Sequence, residues 1–126
     1  YAVQGARLFP HMTVEENILF PLGRKARRTA GQTVAQICRG LEIDGLAARY
    51  PGEISGGQAK RVSLARALAS GKEILLLDEP LSNVDERTRG KVMDFLRREY
   101  VGRNTMVYVS HDREEVTYLC SRTVEL

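Results

Sequence analysis

Apolar residues recur at helical spacing in the first part of the chain. One such stretch lies between residues 31 and 42, and another follows Ser55, with apolar positions at Val34, Ile37, Cys38 and Leu41 and at Val62, Ala65, Leu68 and Ala69. A repeat of three to four residues is typical of one buried helix face. The pattern predicts helices over residues 31–42 and 55–70, the second ended by Gly71.

Three further helices are predicted from their first turns. Thr13 and Glu16 have the spacing of a capping box and begin a short helix that Pro21 stops. Asp85 is placed to cap a helix over residues 86–99, and Asp112 begins one over residues 112–120. Residues 13–70 are therefore predicted to be mainly helical.

Short apolar runs dominate the second part of the chain. Residues 74–77 (Ile-Leu-Leu-Leu) precede Asp78, and residues 105–110 form a second run. Both are interpreted as strands buried on both faces, as in parallel sheets, with further strand ends at residues 1–4 and 123–126. Strand and helix alternate from residue 74, so the predicted fold class is α/β with a parallel sheet.

Residues 54–58, Ile-Ser-Gly-Gly-Gln, are a candidate phosphate-binding helix start. Ser55 and Gln58 have the spacing of a reciprocal cap, while Gly56 and Gly57 leave the first turn without side chains. Bare N–H groups and the positive end of the helix dipole suit a phosphate. Taken alone, this segment favours the simpler interpretation of an ordinary helix start after a turn.

Polar residues at predicted strand ends form the second candidate site. Asp78 and Glu79 follow the first long strand and His111 follows the second. In open α/β sheets, ligands bind beyond the carboxyl ends of strands. Asp78 is suited to Mg²⁺ and Glu79 to polarising a water, whereas His111 and Gln4 carry little information singly.

The order of these segments resembles the ABC ATPase family over essentially the whole chain. Residues 54–58 resemble the family signature, and the helix continues in the family manner through Leu68. Residues 74–80 resemble Walker B with its following glutamate, and residues 81–85 resemble the D-loop. Gln4 falls at the Q-loop glutamine and His111 at the switch histidine. Three departures, Val3, Ile54 and the pair Asn83-Val84, keep the polar chemistry.

The resemblance implies a partial P-loop NTPase (ABC ATPase) core of residues 1–4 and 71–126 with a helical subdomain of about residues 5–70. It also implies a head-to-tail dimer with a second ATP-binding domain, with ATP and Mg²⁺ as cofactors. The residues that would contact the γ-phosphate across that dimer are Ser55, Gly56, Gly57 and Gln58, and Asp85 would couple the two sites. Asp78 and Gln4 would serve Mg²⁺, Glu79 would orient the water and His111 would sense the γ-phosphate.

The P-loop sequence Gly-x-x-x-x-Gly-Lys-Ser/Thr is missing from the 126 residues. The only Gly-Lys pairs are Gly71-Lys72 and Gly90-Lys91, followed by Glu73 and Val92. In P-loop NTPases this loop and its lysine supply much of the phosphate cradle. We therefore expect the chain to be cut off before its P-loop and, by itself, to be inactive on ATP.

Residues 4–14, with Glu16 and Asn17, resemble the same region of bacterial importer ATPases for molybdate, sulfate, polyamines, sugars or iron. This implies an energising subunit at the cytoplasmic face of the cell membrane that contacts permease subunits through residues 5–20. Two alternatives remain open, a non-transport ABC protein such as a translation factor and a regulatory module without a P-loop. A DNA-repair ABC protein is disfavoured, because the 50 residues between Gln4 and Ser55 carry no sustained heptads.

Composition narrows the function classes only slightly. Hydrophobic residues make up 43% of the chain and charged residues 28%, as expected for a globular domain. The net charge of +3 and a single basic run at residues 24–28 give no reason to expect a nucleic-acid partner. Cys38 and Cys120 lack metal-ligand spacing and are expected to be reduced.

Overall fold

The structure is a computed structural model that describes residues 2–3 and 7–124, without the side chains of residues 2, 3, 29, 30 and 32. Its helices are α1 (Val14–Leu19), α2 (Arg24–Gly40), α3 (Gly56–Ala69), α4 (Glu86–Glu99) and α5 (Arg113–Leu119). Its strands are β1 (Ala2–Val3), β2 (Ile74–Asp78) and β3 (Thr105–Val109), and a 3-10 turn spans Pro51–Glu53. No helix in this described part has both the length and the apolar character that crossing a bilayer requires.

The three strands form one parallel sheet in the order β1-β2-β3. Ala2 lies opposite Leu75, and Ile74 lies opposite Thr105, so that Asp78 and Val109 end the two longer strands side by side. Helix α4 connects β2 to β3, as a parallel crossover requires. The predicted α/β class and parallel sheet are confirmed.

A single apolar core joins the helices to one face of this sheet. Leu75 and Leu77 of β2 belong to the same buried cluster as Leu64 of α3 and Leu96 of α4, both of which are fully buried. Gly40 at the end of α2 permits a close helix contact, because a Cβ there would lie 2.2 Å from the Phe95 ring of α4. Any larger residue at position 40 has to displace that ring.

The prediction that both long strands are buried on both faces was wrong. In β2 only Leu75 and Leu77 are buried, and β3 alternates between exposed and half-buried residues. Ile74, Val107 and Val109 are 45–51% exposed on the other face. Within residues 7–124 the helices pack on one face of the sheet only. Here a continuous apolar run therefore belongs to a strand that is covered on one face and exposed on the other.

Two predicted boundaries also require correction. Helix α2 begins at Arg24 and not at residue 31 as predicted. The prediction missed this start because residues 24–28 are mostly basic and exposed and therefore lack the apolar repeat. Thr123 and Val124, predicted to begin a last strand, belong to no strand, and Val124 is 77% exposed. Residues 125–126 of that prediction, with Tyr1 and Gln4 of the first one, lie outside the described residues.

Candidate functional site

The first turn of α3 is an exposed helix start held by a reciprocal cap. The Ser55 N–H donates to Gln58 Oε1 at 2.9 Å, and the Gln58 N–H donates to Ser55 Oγ at 3.1 Å. The space beside Gly56 is open, since a Cβ built there meets nothing within 4 Å. The N–H groups of Gly56 and Gly57, unlike that of Gln58, are not used by the cap and have no acceptor within the helix, so they are available to an anion.

Gly57 sets the distance between this helix start and the turn after β2. A Cβ at position 57 would lie 3.1 Å from the backbone oxygen of Asn83. Asn83 has φ +63°, a left-handed conformation that asparagine tolerates better than most residues. The predicted signature segment and D-loop are therefore in direct contact within one chain.

Glu79 is held at both its backbone and its carboxylate. Its N–H donates to Val109 O at 2.8 Å, which extends the β2–β3 pairing by one residue. Its Oε1 accepts the backbone N–H of His111 at 2.9 Å. Glu79 has φ +46°, an unfavourable conformation for a residue with a Cβ, and such strain is common at functional sites. The carboxylate is thus fixed at the carboxyl end of the sheet, as the sequence predicted.

The His111 ring is fully exposed beside this carboxylate. Its Nε2 lies 3.5 Å from Glu79 Oε1. The two residues line an open hollow of about 530 Å³ together with Ser82, Asn83 and Asp112. An exposed imidazole next to a fixed carboxylate can contact a ligand phosphate while the carboxylate binds a water.

A buried glutamate supports the segment that carries His111. Glu115 Oε2 accepts hydrogen bonds from Tyr108 Oη at 2.8 Å and Ser110 Oγ at 3.0 Å. Burial and this bond raise the pKa of Tyr108 well above its usual range. Arg89 of α4 forms an ion pair with Asp112, and its Nη1 lies 3.7 Å from Glu115 Oε1. The residues on both sides of His111, Ser110 and Asp112, are therefore held in place by side-chain contacts.

Asp85 and Asp78 have different surroundings. Asp85 caps α4 by accepting the Thr88 N–H at 3.0 Å, and this bond lowers its pKa, with a smaller contribution from Arg61. Asp78 is exposed at the end of β2. No cluster of three or more His, Cys, Asp or Glu suited to a metal occurs among residues 7–124. Gln4, the other predicted magnesium ligand, lies outside the described residues.

Sequence reasoning missed two charged residues that shape the site, Glu115 and Arg61. Arg61 is 8% exposed, and its Nη1 donates to the carbonyls of Leu41 at 3.2 Å and Glu42 at 3.1 Å. Burial lowers its pKa, although Asp85 and Glu42 oppose that effect. Both residues occur in charged helical stretches, where no local pattern separates a buried side chain from a solvated one.

Comparison with known proteins identifies the family of this chain. The model of the ABC transporter family matches residues 1–82. The sulfate/thiosulfate import ATP-binding protein CysA of Escherichia coli is 42% identical over 131 residues, which cover 98% of this chain and 36% of the relative. The corresponding CysA of Burkholderia mallei is 39% identical (100% and 38% covered), and so is the molybdenum import ATP-binding protein ModC of Pseudomonas aeruginosa (100% and 35%).

Solved structures give the same fold. A dimeric ATP-binding cassette in a post-hydrolysis state with ADP and phosphate is 30% identical, with a TM-score of 0.76 over 93% of this chain and 54% of that one. A dimeric bacterial ABC transporter cassette gives a TM-score of 0.77 with the same identity and coverage. The chain spans little more than a third of the length of the curated relatives it matches. With a family match over more than half of its residues, the chain belongs to the ABC transporter family.

Proposed function

We propose that this chain is part of the ATP-hydrolysing subunit of an ABC transporter that imports a solute. The observation that carries the proposal is the pairing of Glu79 and His111 at the carboxyl ends of adjacent parallel strands. The glycine-rich start of α3 adjoins the turn that follows Glu79. The names of the relatives, import ATP-binding proteins for sulfate and molybdenum, support the importer class.

In this proposal the start of α3 binds the γ-phosphate of an ATP held by a second subunit. The cap occupies the side chains of Ser55 and Gln58, so the N–H groups of Gly56 and Gly57 do most of the binding. The cap also holds Ser55 Oγ and the Gln58 side chain beside the position proposed for the phosphate. Asp85, exposed at the start of α4, faces the second subunit and couples the two sites.

Glu79 orients the attacking water and accepts its proton, while His111 contacts the γ-phosphate. Because the His111 N–H holds Glu79 Oε1, the second carboxylate oxygen is left for the water. Asp78, with Gln4, serves Mg²⁺. A single exposed carboxylate fits this ion, which keeps several waters and also binds substrate phosphates. Magnesium supplies charge neutralisation at the phosphates when bound.

The proposed partners are a second ATP-binding domain, in a head-to-tail dimer, and the permease subunits. The dimeric state of both similar solved cassettes supports the first. The permease surface is residues 5–20, where the Phe9 and Phe20 rings lie 4.7 Å apart and Phe20 is 48% exposed. In this arrangement residues 5–70 form the helical subdomain, and residues 1–4 and 71–126 belong to the catalytic core. The subunit works at the cytoplasmic face of the membrane.

The test is ATP hydrolysis by a polypeptide in which a P-loop segment precedes residues 1–126. We expect Glu79→Gln to reduce kcat by about a hundredfold or more, because an amide accepts no proton from water. Glu73→Gln is the matched control, since Glu73 is exposed and the substitution keeps its backbone oxygen, which accepts the Thr105 N–H. Equal turnover of the Glu79→Gln variant and the parent would contradict the proposal. Absence of hydrolysis in the parent would favour the regulatory alternative.

A further inference from the structure

Lys60 connects the start of α3 to the turn that follows β2. Its Nζ donates to the backbone oxygen of Glu79 at 3.3 Å and to Ser82 Oγ. The side chain is half-buried and spans 19 positions of sequence to reach Glu79. A lysine on a charged helix gives no local sequence signal for such a contact.

The Glu79 carbonyl oxygen accepts hydrogen bonds from three donor groups. Besides Lys60, the Ser82 N–H lies 3.3 Å from this oxygen and Ser82 Oγ lies 3.2 Å from it. The φ angles of Glu79 and Asn83 are both positive, so the turn contains two residues in a conformation that surrounding contacts must maintain. Lys60 is the donor that reaches this carbonyl from a different element.

The same helix carries the proposed γ-phosphate contacts. Lys60 lies one turn beyond Gly57, which touches the turn at Asn83. Helix α3 therefore holds residues 79–83 at two points, a close backbone contact through Gly57 and a charged hydrogen bond through Lys60. A charge-assisted hydrogen bond resists displacement more than a neutral one.

We infer that Lys60 is a positioning residue that fixes the backbone of Glu79 relative to the start of α3. The inference rests on the proposed function, in which α3 contacts ATP at one site and Glu79 acts at another. Through Lys60, a displacement of α3 on binding the γ-phosphate changes the position of the Glu79 carboxylate. Lys60 thus transmits the occupancy of one ATP site to the chemistry of the other.

The first experiment measures the contact without ATP, by hydrogen exchange in the 126-residue chain. Removing the ammonium in Lys60→Met should speed exchange of the Ser82 and Val84 amides about tenfold, because their acceptors lie in this turn. Lys25→Met is the matched control, on the exposed first turn of α2. In a Ser82→Ala background the Lys60→Met effect should shrink, since the two side chains share the contact. Unchanged exchange at Ser82 in Lys60→Met would overturn the inference.

The second experiment measures catalysis in the polypeptide that includes a P-loop. We expect Lys60→Met to lower kcat about tenfold with little change in KM, and Lys60→Arg to restore part of the rate because it keeps the charge. Lys25→Met should match the parent. An unchanged kcat in Lys60→Met, or a change confined to KM, would overturn the positioning role. If the parent itself fails to hydrolyse ATP, the proposed function and the coupling fail together, while the exchange result still decides the Lys60 contact.

Discussion

Single polar side chains hold several loops of this molecule in place through hydrogen bonds to backbone carbonyls. Asn17 is fully buried, and its amide binds the carbonyls of Phe9 and Met12, while Arg61 ties the end of α2 to α3. Glu79 could be chosen from sequence because it follows an apolar strand, and His111 could be chosen because it matches the switch histidine in the family resemblance. Asn17, Arg61 and Lys60 could not, because their partners lie outside any local motif.

Cys38 gives a residue-scale prediction about pH. Burial, with smaller effects of Asp44 and Glu15, raises the pKa of its thiol to about 11. In a Cys120→Ser chain at pH 8, iodoacetamide should modify Cys38 about a hundredfold more slowly than a peptide thiol, because the thiolate is the nucleophile. The rate should keep rising past pH 9.5. A plateau near pH 9, or modification at the peptide rate, would contradict the burial of this group.

The same shift predicts how stability depends on pH. The folded state holds the Cys38 proton more tightly than the unfolded state, whose thiol pKa is near 9.0. The resulting stabilisation is therefore complete below pH 9 and is lost as the pH rises toward about 11. Urea unfolding of the Cys120→Ser chain across this range, compared with a chain that carries both Cys38→Ala and Cys120→Ser, isolates the contribution.

At the scale of elements, local capping patterns predicted where several helices start, but the sequence did not predict the full length of α2 or which face of β2 is covered. The capping boxes at Thr13 and Ser55 and the cap at Asp85 lie where the sequence indicated, because each depends on residues three apart. The start of α2 was missed, since its basic first turns carry no apolar repeat. The one-sided burial of β2 was also not predicted, because a run of leucines does not indicate on which face of the strand helices pack.

Asn17 provides the element-scale prediction. Its Oδ1 accepts the Phe9 N–H at 2.7 Å, and its Nδ2 donates to three carbonyls before and at the start of α1. We expect Asn17→Ala to lower the free energy of unfolding by about 2–3 kcal/mol, because buried backbone groups lose their partners. Urea unfolding followed by circular dichroism measures this.

The control for Asn17 is Glu15→Ala in the same helix. Glu15 is exposed, and its backbone N–H still reaches Ala47 O after the substitution. Its effect should stay within about 0.5 kcal/mol, as for most surface substitutions. Equal losses in the two variants would contradict the role given to Asn17.

At the scale of the whole molecule, the proposed function assigns this chain parts of two different nucleotide sites. Glu79 and His111 lie at the carboxyl end of the sheet, and Ser55 and Gly56 at the start of α3 are exposed. The 126 residues contain no P-loop sequence. The sheet face carrying Ile74, Val107 and Val109 is left exposed in the described residues.

Calorimetry of Mg-ATP binding tests this account most directly, with the 126-residue chain measured beside a polypeptide that adds a P-loop segment ahead of it. The account predicts saturable, magnesium-dependent binding by the longer polypeptide and no measurable heat from the 126-residue chain at the same concentrations, because the P-loop supplies most of the phosphate contacts. Tight, magnesium-dependent binding by the 126-residue chain would contradict it and would require a second phosphate site within these residues.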